Sequence, residues 1–398
     1  MANRLIQPQE PTVTPLPRRL ALWELGFRPF YLLAALFAAL SVPLWALQFS
    51  GIIAHPWLRG PLWHAHEMVF GYTLAIVVGF LFTAGRNWSG QPTPSGMALM
   101  ALAALWVAGR VLVLTPFGAA AAAVNVAFPL LAAWGLWRAL RAGGNRRNYF
   151  FVGLLLALAG AAAVLHLGQL QWLDLPAELG LPVALDMLLF IIAVMTGRVV
   201  PMFTNNGCPG AQARREPRLE TFALGSVMAL LAADALGLQG LPLAALATLA
   251  AVAHAARWWL WQPWKTLRHP LVWVLHAAYL WLPVHLGLRA AAALGWIAAG
   301  PATHALTVGL IGTLTLGMIT RTALGHTGRP LRAGRIEKSA YLAMLGAAVA
   351  RVCLPLHDPA WLLQSVSVSA ALWSLAFVLY LVRYTPMLLW PRADGRPG

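Results

Sequence analysis

The sequence predicts an all-α fold, a polytopic membrane bundle of about twelve transmembrane helices. Three observations carry that expectation. The 398 residues are 60% hydrophobic and only 10% charged, whereas a water-soluble chain carries about 45–50% apolar and about 25% charged residues. The apolar residues gather into runs of about 20, the length that crosses a ~30 Å hydrocarbon core. Basic residues collect in every second gap between the runs, as inner loops do.

Taken in order, each span is bounded by local punctuation. The first, 27–49, is long enough to act as an uncleaved insertion signal, and the second, 62–84, opens behind Pro61. The third, 96–114, follows QPTPS, and the fourth, 118–138, runs from Gly118 to Arg138. The fifth and sixth are expected at 148–170 and 180–203, the seventh and eighth at 220–237 and 241–262. Only Leu238-Gln239-Gly240 parts the last two, and Asp234 beside that break argues for a tight turn rather than one over-long helix. The ninth (271–293) follows Pro270, the tenth (302–325) Pro301, the eleventh (336–355) Arg335 and the twelfth (361–388) Pro359. Outside this 23–390 domain lie a polar, proline-rich arm, 1–22, with no apolar signal core, and a short tail, 391–398.

Charge orients the bundle. Lys and Arg outnumber Asp and Glu 28 to 12, a formal +16. They form short clusters between apolar runs and never a basic domain, so no nucleic-acid surface is expected. With both termini in the cytoplasm, the inner segments hold clusters such as Arg138–Arg147, Arg214–Arg218 and Arg329–Lys338, while the outer connections hold Arg59 alone. The expected topology is therefore an even number of crossings with both termini inside. No loop is long enough for a soluble catalytic domain. Two cysteines, Cys208 and Cys353, on opposite faces exclude a disulfide scaffold and a Cys-rich metal site.

The second, sixth and tenth spans end in similar inner-face segments, GRNWSGQP (85–92), GRVVPMFTNNG (197–207) and TRTALGHTGRP (320–330). Their spacing of about four helices admits three four-helix units, although Arg and Gly are common at any inner helix end.

Inside a bilayer the polar residues are the informative ones. Eleven histidines exceed the carboxylates of the spans, which are essentially Glu67, Asp186 and Asp234. That balance suits metal or haem ligation by neutral imidazole better than proton-coupled transport. In PLWHAHEM (61–68), His64 and His66 stand two apart and face opposite sides of a helix. One can bind a metal while the other meets a neighbouring helix or a second cofactor. Glu67, three residues after His64, is expected on the same face in an outer-shell or proton-handling role, and Asp186 is a second candidate for it. His304 opens the tenth span. Gly309, Gly312 and Gly317 below it would admit a backbone or a flat macrocycle, or else serve helix packing alone. His166 and the deeper His285 could join this outer layer. The inner layer holds His254, His276 and His326, the last expected in a loop, with Arg86, Arg198, Arg257 and Arg321 as partners for haem propionates or lipid headgroups. His55, His269 and His357 sit in Pro-flanked loops and are expected to be solvated. The 19 Trp suit interfacial belts, and no P-loop, dinucleotide fingerprint, HExxH or nucleophile elbow is present.

Six stretches together resemble one family. They are FRPFYLLAALFA (27–38), WHAHEMVFGY (63–72), GFLFTAGRNWSG (79–90), GRVVPMFTNNG (197–207), HAAYLWLP (276–283) and HALTVGLIGTLTLGMITRTALGHTGRPL (304–331). These are similar to the NnrS family of bacterial integral membrane proteins. The resemblance runs from about residue 23 to 390. It implies a twelve-span inner-membrane protein with haem and copper that protects against nitric oxide and nitrosative stress, in a denitrification-type setting. His64, His66, Glu67, Arg86, Arg198, His276, His304 and His326 fall inside the motifs, His166 in a less distinctive stretch, His254 and His285 outside the strongest ones. A more distant analogy is to haem–copper oxidases and nitric oxide reductases, whose second and tenth helices carry histidine ligands. Their adjacent histidine pair on the seventh helix has no counterpart here.

The leading expectation is haem, with copper less firmly implied, held near the outer leaflet by His304 and one of His64 or His66. Its ligand would be nitric oxide or another small uncharged molecule reaching it through lipid, and its role sensing, sequestration or redox conversion with an unidentified redox partner. A secondary transporter with a cavity near Asp186, Asp234 or Glu67 is the alternative. An assembly factor for another metalloenzyme is the third reading.

Overall fold

A computed structural model describes residues 20–53, 58, 60–176 and 179–396. Most of the amino-terminal arm, His55 and Arg59 lie outside the described residues. Among those described there are twelve helical rods and no strand. They are α1 (Phe27–Phe49), α2 (Pro61–Ser89), α3 (Gly96–Leu112), α4 (Gly118–Ala142), α5 (Tyr149–Gln169) and α6 (Gly180–Gly207). The second half comprises α7 (Pro217–Ala235), α8 (Gly240–Leu260), α9 (Pro270–Ala293), α10 (Ala299–His326), α11 (Arg335–His357) and α12 (Leu362–Leu389).

Helix starts follow from backbone chemistry. Pro61, Pro217 and Pro270 occupy first-turn positions of α2, α7 and α9, where the missing N–H has no helical partner to lose. The Glu216 carboxylate accepts from the Leu219 N–H at 2.6 Å and caps α7. Gly90, at φ 65°, closes α2 in the left-handed conformation that a side chain would strain. The Leu238-Gln239-Gly240 break is a turn between α7 and α8, as expected.

Ten of the helices are long and apolar enough to cross a membrane. The two others have physical reasons for falling short. The 17 residues of α3 are about the least that reaches across. The charges of α7 turn inward, because Glu220 pairs with Arg257 and Asp234 with Arg289. His326 is the last residue of α10 rather than part of a loop. There its ring packs 5.5 Å from Phe27 and its carbonyl accepts from Arg392 Nη1 at 3.0 Å, so the helix end is covered and extends one residue past the expected limit.

In the packing, α12 lies between α1 and α11, α9 between α8 and α10, and α4 against α5. The most enclosed rods are α2 and α10. Each contains a π-helical stretch, Glu67–Thr73 in α2 and Ala305–Gly312 in α10. Such wide turns are rare and recur at functional sites. Here each one follows directly on a turn that carries histidine.

Candidate functional site

Below the end expected to face outward, six helices line an apolar cavity of about 210 Å³. Val42 and Trp45 come from α1, His64, Met68 and Tyr72 from α2, and Leu181 and Leu185 from α6. His304, Thr307 and Ile311 come from α10, Arg351 from α11, and Ser369 and Trp373 from α12. The second, sixth and tenth helices thus meet around one space.

The two cavity histidines are held differently. His304 Nδ1 lies 2.7 Å from the Gly300 carbonyl. A carbonyl only accepts, so Nδ1 carries the proton and Nε2 keeps its lone pair for a ligand. The His64 ring stacks on Trp45, with centroids 5.1 Å apart and planes within 13°. His64 Nδ1 is buried with no hydrogen-bond partner, an unmet need of the kind a bound group satisfies. Arg351 is the one charged side chain on the cavity wall, and among the described residues it pairs with no carboxylate.

His66 faces away from the cavity, as its offset from His64 predicts. Its Nδ1 donates to Glu67 Oε1 at 2.7 Å, and its Nε2 lies 3.1 Å from His166 Nε2 on α5. Arg110 Nη1 donates to the same Glu67 oxygen at 2.8 Å, and Nη2 donates to Asn125. Gly71 makes room, since a Cβ there would collide with Arg110 Nη1. Glu67 therefore serves His66 and not His64, which corrects the expectation drawn from its three-residue spacing. The reason is electrostatic: a buried carboxylate needs a cation and further donors, and the available cation enters from α3, on the far side of α2 from the cavity.

The remaining carboxylates of the spans are bound as well. Arg289 Nη1 donates to Asp186 at 3.2 Å and Nη2 donates to Asp234. Neither aspartate, nor Glu67, lines the outer cavity. Deeper toward the inner end, Arg257 grips Glu220 with Nε and Nη2, both at 2.7 Å, and reaches the Ala193 carbonyl and the Tyr279 hydroxyl with Nη1. The His254 ring accepts from Tyr279 at 2.6 Å. This cluster is saturated, which removes Arg257 as an anchor for a bound anion.

The other sequence candidates lie elsewhere. His285 donates from Nδ1 to the Ala302 carbonyl at 2.8 Å. His276 pairs with the Thr204 hydroxyl at 2.8 Å in the inner half. Arg86 is exposed. Arg198 donates to Asn148 at 3.1 Å over the rings of Phe150 and Phe151, and Arg321 lies 3.9 Å over the Phe203 ring. The structure brings none of these three arginines to the cavity; Arg351 stands there instead. The glycines of α10 do not admit a macrocycle. A Cβ on Gly309 would meet Trp281 at 2.5 Å, one on Gly312 Trp373 at 2.5 Å, and one on Gly317 Val274 at 2.9 Å, so packed side chains already fill that face.

Sequence reasoning passed over Trp45 and Trp373, read only as belt residues, and gave Arg351 no role. A signal for Arg351 existed. It is a cation in the outer half of a span that carries no acidic residue near it, and an intramembrane charge is functional by default.

A protein-family model described as NnrS protein matches residues 21–392 of this chain. No curated protein matches it.

Proposed function

Because the chain belongs to the NnrS family, the multi-pass membrane proteins of the nitric oxide response, we propose that it acts as a haem protein whose outer cavity meets nitric oxide. The observation that carries this reading is the facing of His64 and His304 from two different helices into one apolar cavity. The residues present fit a haem. Apolar walls would suit the macrocycle, a neutral imidazole from His304 or His64 would hold its iron, and the Arg351 guanidinium would suit a propionate. When bound, the haem would supply an iron atom able to bind nitric oxide.

The protein's own contribution is positioning. The Gly300 carbonyl fixes the tautomer of His304 and raises the basicity of its free nitrogen. Trp45 holds the His64 ring flat. An oily bundle admits an uncharged gas directly from lipid and needs no polar entry path.

The transporter reading loses its main support, since Glu67, Asp186 and Asp234 are each tied to an arginine and none lines the cavity. Detergent-purified protein is expected to show a Soret band that shifts on addition of nitric oxide. His304→Ala and His64→Ala should each lose or move that band while eluting as folded protein. Colourless wild-type protein with normal unfolding behaviour would overturn the assignment.

A further inference from the structure

We propose that a groove between the inner ends of α3 and α4 binds one anionic phospholipid, its phosphate on Arg138 and Arg141 and its acyl chains on the apolar floor. Helix length creates the groove. α3 has 17 residues and α4 has 25, which at 1.5 Å per residue is about 26 Å against about 38 Å. The two pack together and are joined at their outer ends by the short connection 113–117, so the surplus length of α4 stands out at the inner end. Segment 91–95 crosses this step and is pinned to one side of it. A Cβ on Gly135 would meet Pro94 at 2.6 Å, so the missing side chain lets the segment seat on α4, and the Gly96 N–H donates to the Trp23 carbonyl at 2.8 Å. A groove of about 970 Å³ remains, at the upper end of the about 300–1,000 Å³ usual for small-molecule pockets.

Its walls change character along its length. Ala98 and Ala101 of α3 are exposed and small, which keeps the floor low, and Leu131 and Trp134 of α4 rise beside them. Arg138 and Arg141 follow Trp134 at four and seven residues, on the same helix face, about 6 and about 10 Å nearer the inner surface. Trp134 stacks on Trp137 with centroids 5.0 Å apart and planes within 27°. Tryptophan marks the boundary between acyl chains and headgroups, so the alanine floor lies at acyl depth and the two guanidiniums at headgroup depth.

Charge selects the occupant. The groove lining holds no Asp or Glu, and residues 68–173 contain none at all. Among the described residues neither Arg138 nor Arg141 pairs with a carboxylate. Arg141 lies 4.9 Å over the Trp137 ring, which orients the guanidinium without neutralising it. A guanidinium binds two phosphate oxygens at once, and basic pockets between membrane helices on the cytoplasmic side take anionic headgroups. A zwitterionic headgroup would bring its own cation against two others. A free phosphate would leave the apolar floor unfilled. The groove and the outer cavity share no residue, so failure of the haem reading leaves this site standing.

The full-length protein in detergent, titrated with phosphatidylglycerol or phosphatidylcholine of matched chains and followed by native mass spectrometry, tests the site. One phosphatidylglycerol per chain is expected to bind roughly tenfold more tightly than phosphatidylcholine, since each arginine near the surface adds to the attraction. Combined Arg138→Gln and Arg141→Gln should abolish that preference. Combined Arg146→Gln and Arg147→Gln removes the same charge outside the groove and should preserve it. Ala101→Trp, which fills the floor and leaves the charge alone, should release the lipid, and glycerol phosphate should not displace it. Equal binding of both lipids by the wild type overturns the proposal and needs no variant to be read. A preference that survives loss of Arg138 and Arg141, an equal loss on replacing Arg146 and Arg147, or displacement by glycerol phosphate overturns it as well.

Discussion

Gly197 on α6 shows how a single missing methyl sets local architecture. A Cβ there would collide with Arg257 Nη2. A flexible arginine tip usually moves aside, but this one is held by Glu220, the Ala193 carbonyl and Tyr279 at once. Gly197→Ala is therefore expected to destabilise by about 1–3 kcal/mol, the ordinary range of overpacking, read as a lower unfolding temperature in detergent. Glu220→Gln removes the charge that a buried guanidinium needs, and breaking such a pair costs about 3–5 kcal/mol. The paired replacement of Arg257 and Glu220 by apolar residues of similar size should recover most of that loss. If Glu220→Gln unfolds like wild type, the pair is structurally idle. The residue types of these clusters were legible in the sequence, since a charge inside a span must find a partner. Their pairing was not. Glu67 meets Arg110 across 43 positions, and only the packing of α2 on α3 decides that it turns from His64 to His66.

Helix limits were far more legible than side-chain partners. The expected span 27–49 coincides with α1, and Pro61 and Pro270 mark starts because proline costs a first turn nothing, whereas Pro217 opens α7 three residues before the expected 220. The π-helical turns left no such mark. They cover seven residues in α2 and eight in α10, too few for a change of period to show against apolar sequence. Yet both cavity histidines lie just ahead of one, and the widened turn sets the angle at which the preceding residues leave the helix. Deleting one residue from Ala305–Gly312 should let α10 close as an ordinary α-helix and rotate His304 by about 100° relative to the lower helix. Helical content by circular dichroism should hold while the Soret band expected under the proposed haem reading disappears. A deletion variant with an unchanged spectrum would show that the π-helical turn does not aim His304.

At the scale of the whole molecule, charge is sorted by depth and by face. Each acidic side chain that forms an ion pair within a described helix does so with an arginine, as in Glu67–Arg110, Asp186 and Asp234 on Arg289, Glu220–Arg257 and Glu337–Arg383. The neutral imidazoles are thereby left as the chemically available groups of the interior. The connections sort just as sharply. Segments 113–117, 170–176, 236–239, 294–298 and 358–361 contain no Lys or Arg, whereas the alternate connections hold clusters such as Arg146–Arg147, Arg214–Arg218 and Lys265–Arg268. Carrying one elementary charge across 100 mV is worth about 2.3 kcal/mol, so an inverted bundle would set many cations against an inside-negative potential. A fluorescent protein fused after Gly398 should therefore fold and fluoresce in the cytoplasm. Alkaline phosphatase inserted in the 294–298 connection should be active, and the same insertion beside Arg214 inactive. The reverse pattern would turn the cavity of His64 and His304 to the cytoplasmic face and remove the outer-leaflet site.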